Sequence, residues 1–260
     1  MQASISLQRD ARQQYLLRIG DTCLILAQRL GEWTGHAPVL EEDIALANMA
    51  LDLLGQARAV LTLAGAPQGL DEDQIAFLRE ERDYFNPTLV ELPNGEGRPG
   101  DFALTVLRNA FVSTQLKLLW QRLLDSSDEE LAAIAAKAVK EARYHQQHAA
   151  DWVLRLGDGT QESNRRMQAA LDKLWPYVAE LFAQDEVDEA AAESGLGPRW
   201  AELRQEWLSE IGPLLQAATL AQPADRPFLS TGRRGVHSEH MGYILAEMQH
   251  LQRAFPGGAW

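Results

Sequence analysis

One cysteine, Cys23, is all that a chain of 260 residues contains. No intramolecular disulfide can form, and a metal site built from clustered thiolates is excluded. Cys23 falls in line with Leu16, Ile19, Leu26 and Leu30 at helical spacing, which makes it a core residue rather than a reactive thiol. Positive charge is scarce too: 24 Lys and Arg against 37 Asp and Glu leave a formal charge of −13. A surface of that sign repels phosphate backbones and anionic lipid, so the expectation is no nucleic acid and no membrane among the partners, although a local basic pocket stays open. The sequence also shows no signal-like segment and no uninterrupted apolar run approaching the roughly eighteen residues of a bilayer span, which sets the expectation of a cytoplasmic protein.

Strand-like alternation is missing as well. What fills the chain is the three-and-four spacing of amphipathic helices. Residues 9–33 form one such pattern, Gly35 to Pro38 interrupt it, and a second runs to Gly65 behind an acidic first turn of Glu41, Glu42 and Asp43. A shorter helix over about 71–84 precedes a loop with Pro87 and "LPNGEGRPG". Helices over 102–124 and 128–156 follow, the later one capped by Ser127 or Asp128. Then come 161–183 with a kink at Pro176, the acidic "QDEVDEAAAES" as exposed helix or loop, 198–221 carrying Pro213, and a last helix over 237–254. Short links between long helices imply antiparallel neighbours. The expected fold is all-α: one domain over 1–260, a core bundle over about 9–156 and accessory C-terminal helices over about 161–254.

The stretch "KEARYHQQH" raises the possibility of a metal site, since Glu141, Tyr144, His145 and His148 lie on neighbouring turns of one helical side. A carboxylate-bridged di-iron bundle needs a Glu or Asp on each of two helices and a Glu-x-x-His on each of the other two. This sequence fails that count. The stretch "FALTVLRNAFVSTQLKLLWQRLL", 102–124, has no acidic residue; three beyond Asp52 stands Gly55, and three beyond Glu141 stands Tyr144. Asp21 lies opposite the apolar seam of its helix, and Glu32 sits near the helix end. One literal pair exists, Glu247 and His250 on the last helix, outside the core quartet. His145 continues an apolar seam and reads as a hydrogen-bonded core histidine. Asn48 and Asp52, inside an apolar helix, are expected to pair across the bundle with Arg or Lys. Asn48, Asp52, Glu141, Tyr144 and His145 together read as a polar cluster where a metal site would lie.

"LRIGDTCLILAQRLGEWTGHAPVLEEDIALANMALDLLGQAR", "KEARYHQQHAADWVLRLGDGT", "MQAALDKLWPYVAELF" and "TGRRGVHSEHMGYILAEMQHLQR" resemble the structural C subunits of bacterial phenylacetyl-CoA epoxidases, in order and through essentially the whole chain. The resemblance implies a ferritin-like fold and a part in forming the 1,2-epoxide of phenylacetyl-CoA during phenylacetate breakdown. It further implies no cofactor in this chain: di-iron and most of the phenylacetyl-CoA contacts belong to a homologous A subunit. A B subunit bridges assemblies, and a reductase carrying FAD and an iron–sulfur centre supplies electrons from NADPH.

Three physical expectations follow. The second helix, apolar nearly all round (Ile44, Leu46, Ala47, Leu51, Leu53, Leu54, Val60, Leu61), suits burial on both sides and a scaffold that covers its catalytic sibling. Arg233 and Arg234, between Gly232 and Gly235, form a basic turn ahead of a helix that could hold coenzyme A phosphates; a solvated or pairing turn is the competing reading. From a different class comes a metal-binding oxidoreductase acting on its own through Glu141, His145 and His148, or through His240, Glu247 and His250.

Overall fold

A computed structural model describes residues 3–7, 10–97 and 100–258. Among them are ten α-helices and no strand: α1 Ala11–Gly31, α2 Leu40–Gly65, α3 Glu72–Leu78, α4 Thr88–Glu91, α5 Phe102–Leu123, α6 Glu129–Gly157, α7 Gln161–Leu174, α8 Glu186–Glu193, α9 Arg204–Ala217 and α10 Glu239–Ala254. Side-chain caps set the starts. Asp10 accepts from the Gln13 amide at 2.7 Å, Asp101 from Ala103 at 2.9 Å, and Asp128 from Glu130 and Leu131 at 3.1 Å. Of the two caps expected for α6, Asp128 is the one used.

The α1–α2 and α5–α6 hairpins lie side by side with α2 against α6. The C-terminal elements then close the other sides: α7 and α9 pack on α5, α8 on α1, and α10 on α3 and α4. Trp207 of α9 anchors this outer layer. Its ring meets Phe111 of α5 at 5.3 Å and Phe182 at 5.4 Å, and its Nε1 donates to the Phe111 carbonyl at 2.8 Å. Covered this way, α5 is buried from Ala103 to Trp120. That burial accounts for its lack of Asp and Glu, because an unpaired carboxylate there would lose several kcal/mol of hydration.

Several local expectations are corrected. The helix from 161 gives way at Trp175–Phe182 to a tighter 3₁₀ segment, since Pro176 has no N–H to continue the α ladder. Residues 71–84 divide into α3 and a 3₁₀ turn, Glu81–Asp83, and the loop after Pro87 opens with α4. "QDEVDEAAAES" contains α8, whose Asp188 is fully buried. Asp21 is not on an outward face: α1 has no such face, and Asp21 is completely enclosed beside Arg79. Finally, an 18-residue window within residues 40–68 has a mean hydropathy of 1.3, which by length and composition only is apolar enough to cross a membrane. The scattered charges Asp52 and Arg58 hide this when only unbroken apolar runs are counted.

Candidate functional site

At the centre of the bundle, where four helices would have to converge ligands on a metal, the structure places Cys23 from α1, Gln56 from α2, Trp120 from α5 and Glu141 from α6. The Gln56 amide joins them. Its Oε1 accepts from Trp120 Nε1 at 3.2 Å and from the Cys23 thiol at 3.6 Å, and its Nε2 donates to Glu141 Oε2 at 3.0 Å. Burial, with help from the nearby Glu141 and Asp21 charges, pushes the Cys23 thiol far above its ordinary range, so it acts here as a hydrogen-bond donor to Gln56. A bulky indole and a neutral amide occupy the seam beside one carboxylate, Glu141, and the buried cations of α5 are engaged elsewhere: Arg108 reaches the Leu92 carbonyl at 2.5 Å, and Lys117 pairs with Glu210. Two divalent irons need anionic oxygen from all sides. These residues do not fit a di-iron centre.

The remaining polar residues predicted to cluster are only partly brought together. His145 Nε2 and Asp52 Oδ2 are 3.1 Å apart, and His148 Nε2 and Glu42 Oε2 are 2.9 Å apart, so each α6 histidine is matched with its own α2 carboxylate. Burial lowers the pKa of His145 and outweighs the opposing pull of Asp52, so the imidazole is neutral and donates to the carboxylate. Glu141 turns to Gln56 and, at 3.5 Å, to Lys137. Asn48 and Tyr144 are exposed, Tyr144 lying beside the two histidine rings at 6.1 and 6.2 Å. Asp52 thus pairs with a histidine, not with the Arg or Lys expected. Glu247 and His250 face outward on α10. Among the described residues, no three of His, Cys, Asp and Glu gather in a way that could hold a metal ion.

The arginine turn is built differently from a surface anion trap. Arg233 points inward, buried, over the Trp200 ring at 4.1 Å and against Asp188 at 3.0 and 3.2 Å. Arg18 of α1 reaches the same Asp188 at 3.2 Å and Asp185 at 2.8 Å. Desolvation would raise Asp185, but the hydrogen bonds and charge of Arg18 hold it well below the usual carboxylate range. The backbone is pinned as firmly: buried Glu180 accepts from the Arg233 amide and the Thr88 amide, each at 2.8 Å. The flanking glycines serve this packing. A Cβ on Gly232 would sit 2.5 Å from the Asn86 carbonyl, and Gly235 has φ +75° hard against the Arg82 carbonyl. Of the pair, only Arg234 is exposed, so Arg233 does not present its guanidinium to an external phosphate.

Sequence reasoning missed Glu91, which closes the same loop. It is fully buried on α4 and accepts from the Ser238 amide at 2.6 Å, Asn86 Nδ2 at 3.0 Å and His237 Nδ1 at 2.7 Å. The other His237 nitrogen meets the Tyr84 carbonyl at 2.9 Å, so both ring nitrogens face acceptors and the doubly protonated ring is favoured. Burial pulls the His237 pKa down, yet the Glu91 hydrogen bond and charge, with the Tyr84 carbonyl, leave it raised. A raised folded pKa stabilises the protein fully below the unfolded value of about 6.5 and loses that contribution as pH climbs through the folded value. In urea titrations, the stability difference between the native protein and a His237→Gln variant is therefore expected to be larger at pH 6 than at pH 9. A pH-independent difference would refute the imidazolium.

Fold and seam together define an all-α bundle protein with a hydrogen-bonded but ligand-poor centre. The chain belongs to the phenylacetic acid catabolic protein family, whose model matches residues 1–260. It is similar to the C subunit of the 1,2-phenylacetyl-CoA epoxidase of Escherichia coli (strain K12), with 49% identity over 247 residues that span 95% of this chain and 98% of that protein. The family resemblance drawn from the four sequence stretches is borne out.

Proposed function

We propose that this chain is a non-catalytic C subunit of a multicomponent phenylacetyl-CoA epoxidase. It folds as a single ferritin-like unit in the cytoplasm and stabilises a homologous A subunit. The di-iron centre and most of the phenylacetyl-CoA contacts reside in that A subunit. A bridging B subunit and an NADPH-dependent reductase with FAD and an iron–sulfur centre complete the assembly. The observation that supports this reading is the seam of Cys23, Gln56 and Trp120, where a thiol, an amide and an indole meet a single carboxylate, Glu141. The 49% identity to the C subunit of an epoxidase supports the choice of enzyme.

The test is to co-purify the chain with the A subunit, separate the two and count metal on each. Iron is expected with the A subunit and at background level here. Stoichiometric iron in this chain, lost on Glu141→Ala or His250→Ala, would overturn the reading.

A further inference from the structure

The outward side of α2 carries an apolar seam that nothing among the described residues covers. Leu40, Ile44, Ala47, Leu51 and Leu54 follow one another at steps of four, three, four and three. Leu40, Ile44, Leu51 and Leu54 are 71, 53, 64 and 36% exposed, and Tyr144 of the adjoining α6 extends the patch at 52%. Inward-facing Leu46, Met49, Leu53 and Val60 already serve the core, so α2 has two apolar sides and uses one.

The spacing says what kind of object fits. Alternating steps of three and four average 3.5 residues and trace a narrow stripe, the pattern by which one helix packs along another at a shallow angle. The stripe spans Leu40 to Leu54, roughly 22 Å at about 1.5 Å per residue, so its complement is a helix of about four turns rather than a small ligand. Gly55 sits beside the stripe with no atom within 4 Å of where a Cβ would stand, leaving room for a close backbone. A bilayer fits poorly, because Asn48, Asp52 and Glu41 border the stripe and would enter hydrocarbon with it. The carboxylates at the rim are Glu41, which is exposed, and Asp52, which is half-exposed and meets His145, while Arg58 pairs with Glu72 at 2.7 Å. A second copy of a chain of net charge −13 would set those carboxylates against its own.

We infer that the Leu40–Leu54 seam of α2, with Tyr144, is the surface on which a helix of the metal-bearing sister subunit docks, its own apolar stripe flanked by basic or hydrogen-bond-donating side chains. This rests on the proposed function and specifies where the sister subunit binds.

The experiment measures binding of the A subunit to the intact chain and to Ile44→Glu, Leu51→Glu and, as a control, Leu251→Glu on exposed α10. Thermal melts of each variant alone check that it folds, which their exposure favours. The expected result is a dissociation constant raised roughly thirty-fold or more for Ile44→Glu and Leu51→Glu, the loss typical of a central contact, with Leu251→Glu unchanged. Full affinity in both seam variants would overturn the seam while leaving the subunit reading intact. Failure of the native chain to bind the A subunit would remove both. Self-association, or flotation with phosphatidylglycerol vesicles, that is abolished by Leu51→Glu would assign the seam to a second copy or a membrane and overturn the occupant inferred here.

Discussion

Replacing Asp21 by Ala is expected to lower the unfolding free energy by about 3–5 kcal/mol, the cost of stranding a buried cation. Asp21 and Arg79 are both wholly enclosed. Asp21 Oδ2 accepts from Arg79 Nη1 at 3.0 Å and from the Phe85 amide at 2.9 Å, while Arg79 also reaches the Ile75 carbonyl at 2.6 Å and stacks on Tyr84 at 4.0 Å. One carboxylate therefore fastens α1 to the segment following α3. Asp21→Asn separates charge from shape: it keeps an oxygen for Phe85 but leaves the guanidinium uncompensated, so most of the loss should persist. Urea unfolding of the three proteins decides it, and an Asn variant within about 0.5 kcal/mol of the native chain would show that the charge contributes little.

Arg233 and Arg234 are expected to behave as opposites although they adjoin in sequence. Arg233→Ala removes a cation held between Asp188 and the Trp200 face, leaves Asp188 to Arg18 alone, and abandons the Ala183 carbonyl. A loss of about 3–5 kcal/mol is expected, since one partner of an enclosed ionic group is deleted. Arg234→Ala, on the surface, should stay within about 0.5 kcal/mol of the native chain. Equal effects at the two positions, measured by thermal and urea unfolding, would contradict the inward placement of Arg233.

The arginine pair shows where the sequence was legible and where it was not. Helical period, breakers and caps are local, so the long helices and their antiparallel order could be read from the chain. So could the failed ligand count, which needs only residue types at fixed offsets. Burial of charge is not local. Arg18 is buried because Asp185 and Asp188, far along the chain, come to meet it, and Asp21 because Arg79 does. Nothing within one helical turn of Arg18 or Arg233 announces such partners. Gln56 escaped notice for a related reason: a neutral amide in an apolar helix becomes central only once Trp120 and Glu141 converge on it. Glu91 and Glu180 were hidden in stretches that read as loop or amphipathic helix, yet each fastens the segment from Ser230 to Ser238.

The indole of Trp120 also limits what substitution could make of this bundle. Any route to a metal centre at the seam must first excavate that side chain, at about 3–5 kcal/mol for an aromatic cut to Ala. It must then bury several carboxylates before an ion arrives to neutralise them. Each such step lowers stability before any ion could repay it, so the seam resists conversion one residue at a time.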